Sequence, residues 1–389
     1  MRHERRDFDM IKRLIILGVT VAILITNLAD SVYASAPREI PSVSAKYAAA
    51  VEMNTGELIC EKNGRVKTSM ASTTKIMTAL LLCEMCDLDE EIIATKEMVT
   101  VEGSSMGLME GDRVHYRDLL YGMLLASGND AANATAISIA GSVEDFAVLM
   151  NKKAAEIGMT DTNFVTPSGL DDEEHYSTAI DMAKLAVYAM KNEEFAAACA
   201  SKTKTLEYGN PPYRRTLKNH NKLLWYYDGA IGIKTGFTKK SGRCLVSCAE
   251  KNGMGVIAVT LNAPSDWSDH ATLLDYGFSQ LKTDELYTPD DISNIAVANS
   301  DEKITIDFTP PKVTLLPEQF NNVTFNTELN RFIFAPVKKE QVLGHVVYFI
   351  GDKEIARAKI TAANEIKSGK YTIVNKDYKY WLKALFGAK

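Results

Sequence analysis

From Ser72 to about Met85 the chain is almost continuously apolar, and one lysine, Lys75, stands inside the run. Ile76, Met77, Ala79, Leu80, Leu81 and Leu82 leave no polar stripe for water to face. A helix that is hydrophobic all round belongs in the middle of a domain rather than on its surface. The run ends near the acidic cluster Asp87 to Glu91. Burying an unpaired lysine is costly, so Lys75 needs partners and invites a functional reading.

The rest of the chain supplies what such a helix must be buried in. Helical periodicity is expected over 116–125, 130–139, 143–157 and 178–190, between two groups of strand signals. The first group is 46–53 and 57–60 around Asn54-Thr55-Gly56. The second is 231–233, 244–248 and 256–261, with Lys251-Asn252-Gly253 as the turn joining the last two. Strands at both ends with helices between them predict an α/β (α+β) domain. Its one antiparallel sheet is built from both ends of the segment and covered by helices. Composition shifts near residue 283. From there short alternating segments at 304–308, 342–350 and 356–360, with a turn at Gly351-Asp352, predict a small all-β domain.

The 389 residues suffice for two domains, and 46% hydrophobic with 24% charged residues is ordinary for a globular protein. Net charge is −6 with no dominant basic run beyond the N-terminus, which argues against nucleic acid as the main partner. Residues 1–36 read as a secretory signal peptide. Arg2, Arg5, Arg6, Lys12 and Arg13 precede the apolar run Leu14 to Ile25, and Ala34-Ser35-Ala36 is the expected cleavage site. The competing reading is an uncleaved anchor. The protein is therefore expected outside the cytoplasm, where disulfides are permitted. Most of the six cysteines nevertheless read as small apolar core residues. No histidine, cysteine and carboxylate set has metal spacing, so no metal or other cofactor is implied. His175 and His220 read as polar surface or loop residues. Over 376–389, Tyr378, Trp381, Leu382, Leu385 and Phe386 share one helical face and Lys376, Lys379 and Lys383 lie opposite. That amphipathic helix fits either a membrane surface or the chain's own domain.

Three short motifs stand in order: Ser72-Thr73-Thr74-Lys75, Ser127-Gly128-Asn129 and Lys234-Thr235-Gly236. Each recurs by chance, but together and with matching local structure they are specific. A spacing of three puts Ser72 and Lys75 on one helical face, one turn apart. Ser72 stands where the helix begins, so its own N–H is free to face an oxyanion. A serine hydroxyl needs a base, and a neutral Lys75 can serve. Its pKa must then fall from about 10.4 toward about 7–8, roughly 4 kcal/mol of differential interaction. Burial and a nearby Lys234 both push that way. Ser127 can relay the proton to a leaving amine, and Asn129 can hold Lys75 and a substrate amide. Lys234 and Thr235 offer charge and a hydroxyl to a substrate carboxylate. Their strand reads as a sheet edge, where Gly236 leaves room for an extended peptide.

These residues resemble the low-molecular-mass penicillin-binding proteins that act as serine-type D-alanyl-D-alanine carboxypeptidases. The likeness spans about 44–280. It includes Asn163-Phe164-Val165-Thr166-Pro167-Ser168-Gly169-Leu170-Asp171 and Asn219-His220-Asn221-Lys222-Leu223-Leu224 beside the three motifs. It implies a transpeptidase/β-lactamase-like catalytic domain at 44–283, a small β domain at 284–375 and a membrane-associating helix at 376–389. It implies a peptidoglycan stem peptide ending in D-Ala-D-Ala as substrate and β-lactams as covalent inhibitors. It also implies the N–H of Phe237 as second oxyanion donor, and a site at the outer face of the cytoplasmic membrane. Phe237 stands where some members carry histidine after K-T-G, and Ser168 where some carry histidine after proline. A class A β-lactamase would need a Glu-x-x-x-Asn between Ser127 and Lys234, which this chain lacks. A D,D-endopeptidase, a weak transpeptidase or a silent peptidoglycan-binding module share enough to stay in view.

Overall fold

The computed structural model describes residues 40–368, apart from positions 294, 299, 301 and 331. The signal peptide and the C-terminal amphipathic helix expected at 376–389 lie outside the described residues. Within them no helix is long and apolar enough to cross a membrane.

The larger unit is built on five antiparallel strands. They are β1 (Tyr47–Glu52), β2 (Leu58–Lys62), β5 (Ala230–Thr238), β6 (Gly242–Lys251) and β7 (Met254–Leu261), in the order β2-β1-β7-β6-β5. Both ends of the domain thus meet in one sheet, as β1 pairs with β7. Side chains alternate across a strand, and here both faces are covered, so the middles of the inner strands are mostly apolar. Ala49, Val51, Ile257 and Val259 join the core on one face. Ala48, Ala50, Val256 and Ala258 join the core under the long helix α8 (Asp266–Gln280) on the other.

Between the strand groups run α1 (Lys75–Met85), α2 (Tyr116–Leu125), α3 (Asn129–Ala140), α4 (Val143–Glu156), α5 (Ala179–Ala189) and α6 (Glu193–Ala200). Their starts follow local chemistry. Ser142 and Thr178 accept hydrogen bonds from the N–H groups of Asp145 and Asp181, satisfying donors that a helix start leaves unpaired. Helix α1 is buried from Lys75 to Leu82, as its composition demands. A hairpin of β3 (Thr203–Gly209) and β4 (Pro212–Lys218) leads through the short helix α7 (Leu223–Tyr226) to β5. That hairpin, α6 and α8 have no counterpart among the expected elements.

The smaller unit contains a four-stranded sheet of β8 (Ile306–Asp307), β9 (Val323–Leu329), β10 (Val342–Ile350) and β11 (Lys353–Ala362), ordered β8-β11-β10-β9. Its own core includes Val337, Leu343, Val346, Tyr348 and Ile360. Cys60, Cys199, Cys244 and Cys248 are buried among apolar neighbours.

Candidate active site

Ser72 lies in a 3-10 turn, Ala71–Thr74, that feeds directly into α1. Three contacts clamp this turn and the start of α1 from the 164–175 loop. Gly169 has φ +82°, and a Cβ there would sit 2.0 Å from the Ala71 carbonyl oxygen, so no other residue fits. Thr78 donates from Oγ1 to the Pro167 carbonyl at 2.6 Å. The third clamp is His175. Its Nδ1 accepts from the N–H of Val165 at 2.9 Å and of Thr166 at 3.3 Å. The ring proton is therefore on Nε2, which donates to Thr74 Oγ1 at 2.8 Å, and that hydroxyl donates to the Ala71 carbonyl at 2.8 Å. Far from being a surface residue, His175 is 2% exposed, and burial pushes its pKa down to about 4. Its sequence neighbours Asp172, Glu173 and Glu174 are exposed, which hides that burial from composition.

Lys75 is fully buried, with Nζ 3.0 Å from Ser72 Oγ, 2.7 Å from Asn129 Oδ1 and 2.7 Å from the Ser168 carbonyl oxygen. Its pKa is driven well below that of an ordinary lysine, first by burial and then by the charge of Lys234, with Asp130 opposing. The partners are suited to a neutral amine. Asn129 Oδ1 and the Ser168 carbonyl can only accept, so in a neutral amine they would take the two N–H bonds and leave the lone pair for the Ser72 hydroxyl. The buried Ser168 contributes through its backbone.

The second motif turns on Ser127, whose φ of +59° brings the chain sharply into α3. Ser127 Oγ accepts from Lys234 Nζ at 3.1 Å. Asn129 donates from Nδ2 to the Glu102 carbonyl at 2.5 Å, so part of its amide is spent on the 102–108 loop. Asp130, wholly buried, holds the same loop: its carboxylate accepts from the N–H groups of Met106, Gly107 and Leu108 and from Ser105 Oγ. From the other side Tyr208 Oη and Arg215 Nη1 donate to the Met106 carbonyl, and Arg215 also reaches the Gly107 carbonyl. Sequence reasoning assigned no role to Asp130, Arg215 or His175. For Asp130 the signal was an acid in the first turn of a helix that opens at a motif.

Lys234, Thr235 and Gly236 lie on β5, the edge strand of the sheet. Lys234 is 1% exposed, also donates to the Thr235 carbonyl at 2.8 Å, and is pushed down to about 7 by burial, with Cys199 opposing. At Gly236 a Cβ would meet the Ser72 nitrogen at 3.0 Å and the Thr73 nitrogen at 3.1 Å, so glycine lets the strand pass close beside the turn. Phe237 follows, 65% exposed. A cleft of about 900 Å³ opens here, lined by Ser72, Ser127, Thr235, Gly236 and Phe237 and walled by Trp225, Tyr226, Arg243 and Trp267. His220 is exposed on the same wall. The structure thus brings Ser72, Lys75, Ser127, Asn129, Lys234, Thr235, Gly236 and Phe237 to one place. Among the described residues no cluster of three or more His, Cys, Asp or Glu could hold a metal ion.

A buried lysine on a serine, a second serine on a second lysine and a free sheet edge define a penicillin-binding-protein-like fold and site. The D-alanyl-D-alanine carboxypeptidase family model matches residues 32–265, and the model for the C-terminal domain of penicillin-binding protein 5 matches residues 280–368. The chain belongs to the D-alanyl-D-alanine carboxypeptidase family. It is 32% identical over 379 residues to the Bacillus subtilis carboxypeptidase DacF, covering 93% of this chain and 97% of that one. It is 32% identical to Escherichia coli DacC, over 85% of this chain and 86% of the relative. Among solved structures, the carboxypeptidase DacD of Francisella tularensis matches with a TM-score of 0.60 and 29% identity, over 86% of this chain and 96% of that one. The Streptomyces K15 DD-transpeptidase matches with a TM-score of 0.59 and 34% identity, over 62% of this chain and 99% of its own.

Proposed function

We propose that the chain hydrolyses the terminal D-Ala-D-Ala bond of peptidoglycan stem peptides through an acyl-enzyme on Ser72, with Lys75 as general base. The observation that carries this reading is the fully buried Lys75 amine, 3.0 Å from Ser72 Oγ and flanked by two pure acceptors. Lys75 takes the Ser72 proton as Oγ attacks the carbonyl between the two alanines. The N–H groups of Ser72 and Phe237 face the oxyanion. The proton passes through Ser127 to the leaving amine, the C–N bond breaks, and D-alanine departs. Water, deprotonated in the same way, then hydrolyses the ester and restores Ser72. Lys234 and Thr235 receive the terminal carboxylate, and the peptide backbone adds to the edge of β5. β-Lactams acylate Ser72 as mimics of this substrate. The signal peptide and C-terminal helix expected from the sequence support a location at the outer face of the cytoplasmic membrane, where no nucleic acid partner is called for.

Purified protein should release free D-alanine from a D-Ala-D-Ala peptide. After penicillin treatment, mass spectrometry should find the adduct on the peptide containing Ser72. An unlabelled Ser72 peptide would sink the acyl-enzyme. On a cross-linked muropeptide, release of monomers in place of free D-alanine would turn the reading to an endopeptidase.

A further inference from the structure

The cleft beside Ser72 does not end at the place proposed for the terminal carboxylate. A second cavity of about 380 Å³ continues from it. The two share Lys222, Arg243, Asp266 and Trp267, but Ser72, Ser127 and Thr235 line only the first. The second cavity therefore begins where the reacting groups stop, and Pro264, Ser265 and Ser268 complete its wall.

The register of the sheet shows which part of a substrate it faces. On the ladder between β5 and β6, Thr235 stands opposite Leu245 and Phe237 opposite Arg243. Opposed residues share a face and side chains alternate along a strand, so Thr235, Phe237 and Arg243 point to the same side. Arg243 is thus a diagonal neighbour of Thr235, about 7–8 Å away. Thr235 is a proposed seat of the leaving residue's carboxylate. A side chain borne on the same α-carbon must cover that diagonal to enter the second cavity. A methyl group falls short of it, whereas a long unbranched chain spans it.

The wall that such a chain would meet is held in place. Asp266 and Trp267 open α8. Arg243 Nη2 is bound to Asp266 Oδ2 at 2.9 Å, and its guanidinium carbon lies 5.7 Å from the centre of the Trp267 ring. Trp267 is half-buried and lines both cavities. Its indole offers a rigid apolar surface to methylene groups. Lys222, Ser265 and Ser268 are exposed beside it and can hydrogen-bond the polar end of a chain.

We infer that the second cavity receives the side chain of the leaving D-residue, so that the enzyme accepts leaving residues with long, amide-ended chains as well as alanine. The inference rests on the proposed peptidase reaction and widens its substrate class. A cross-linked stem supplies such a residue when the amine it gives up belongs to an amino acid whose side chain runs on into a second peptide. The chemistry is unchanged: the Ser72 ester forms, the C–N bond breaks, the leaving amine takes the proton, and water hydrolyses the ester.

Steady-state kinetics of the full chain on two blocked peptides test this. The peptides are identical up to the reacting D-alanine and end in D-alanine or in Nε-acetyl-D-lysine, and chromatography measures the amino acid released. The wild type should cleave both, with kcat/KM values within about tenfold of each other. Trp267→Ala should lower the ratio of long-chain to alanine kcat/KM about tenfold, the effect of removing apolar contacts made by one substrate and not the other. Ser268→Trp puts a ring into the cavity from an exposed position and should lower the same ratio by as much. A wild type that releases D-alanine but cleaves the acetyl-lysine peptide more than about tenfold more slowly would overturn the inference and leave the reaction standing. A ratio unmoved within about twofold in both variants would do the same, since any loss would then be common to all leaving residues. A wild type inert on both peptides overturns the reaction itself, and this inference with it. Should Trp267→Ala melt early because Arg243 loses its neighbour, Ser268→Trp decides the question alone.

Discussion

Two buried polar clusters in this domain use the same physics for opposite ends. Around Lys75, burial disfavours the charge of a lysine whose amine lies 3.0 Å from a serine hydroxyl at the floor of a cleft. Around His270, burial also keeps a base neutral, but both ring nitrogens are consumed. Ser247 on β6 meets Nδ1 at 2.5 Å and Thr260 on β7 meets Nε2 at 2.9 Å. The neighbouring Asp269 accepts from the N–H and hydroxyl of Ser44 and from the N–H of Ala45, tying α8 to the start of β1. The difference lies in access. A neutral base beside a reachable hydroxyl is a reagent, whereas one sealed between sheet and helix is a brace.

The largest effect should come from Lys75. Lys75→Ala removes the proposed base and should slow penicillin acylation of Ser72 by about 10³-fold or more. The fold should survive, because losing a desolvated amine offsets part of the cost of the two acceptors and the space it leaves. Stopped-flow acylation and a thermal melt read the two halves. A variant that still acylates at the wild-type rate breaks the distinction, since Lys75 would then be a brace as well.

The His270 cluster predicts the reverse pattern: a stability effect governed by pH. Burial holds His270 near pKa 3 and His175 near 4, against about 6.5 in the unfolded chain. The unfolded state thus binds more protons across this window, so stability rises with pH there. It is complete above about pH 6.5 and is lost as pH falls toward 4, by an amount on the order of 6 kcal/mol for these two buried groups together. Denaturant unfolding at pH 7 and pH 4.5 measures it. His270→Asn should flatten the dependence, and an unchanged slope would show that the acid sensitivity arises elsewhere.

His175 sharpens the comparison because it is a brace that sits under the reagent. His175→Ala leaves the N–H groups of Val165 and Thr166 unpaired and frees Thr74. The cost should be about 2–3 kcal/mol of stability. It should also slow acylation about tenfold, by loosening the turn that aims Ser72. A loss of stability with acylation untouched would show that the 164–175 loop does not position Ser72.

Which parts of this were legible beforehand follows from the same contrast. The reagent was visible, because a lysine in an apolar run is costly enough to stand out and because S-x-x-K, S-x-N and K-T-G keep short, fixed spacings. The sheet was visible too, since the runs at 244–248 and 256–261 are mostly apolar on both faces. The braces were not. His175 and Arg215 reach groups about a hundred residues away, and Asp130 and His270 reach groups on other elements ten to 25 residues away, so no local pattern reports these contacts. Helix α8 escaped for a related reason. It carries Asp266, Asp269 and His270 among its buried residues, so its inner face does not read as an apolar stripe.

The smallest effect should fall at Phe237, where backbone and side chain have separate fates. The proposed oxyanion donor is its N–H, while the residue is 65% exposed and makes no part of the apolar core. Phe237→Ala keeps the N–H and should change acylation of Ser72 by less than about threefold, with stability within about 0.5 kcal/mol. Phe237→His, the residue some family members carry, should behave alike in acylation by a small β-lactam. Turnover of a long stem peptide is the more sensitive measurement, because the ring lines the cleft such a peptide must cross. A tenfold fall in acylation by a small β-lactam in Phe237→Ala would mean that the side chain itself shapes the oxyanion site. The division between a backbone that reacts and a side chain that merely lines the cleft would then fail at this position.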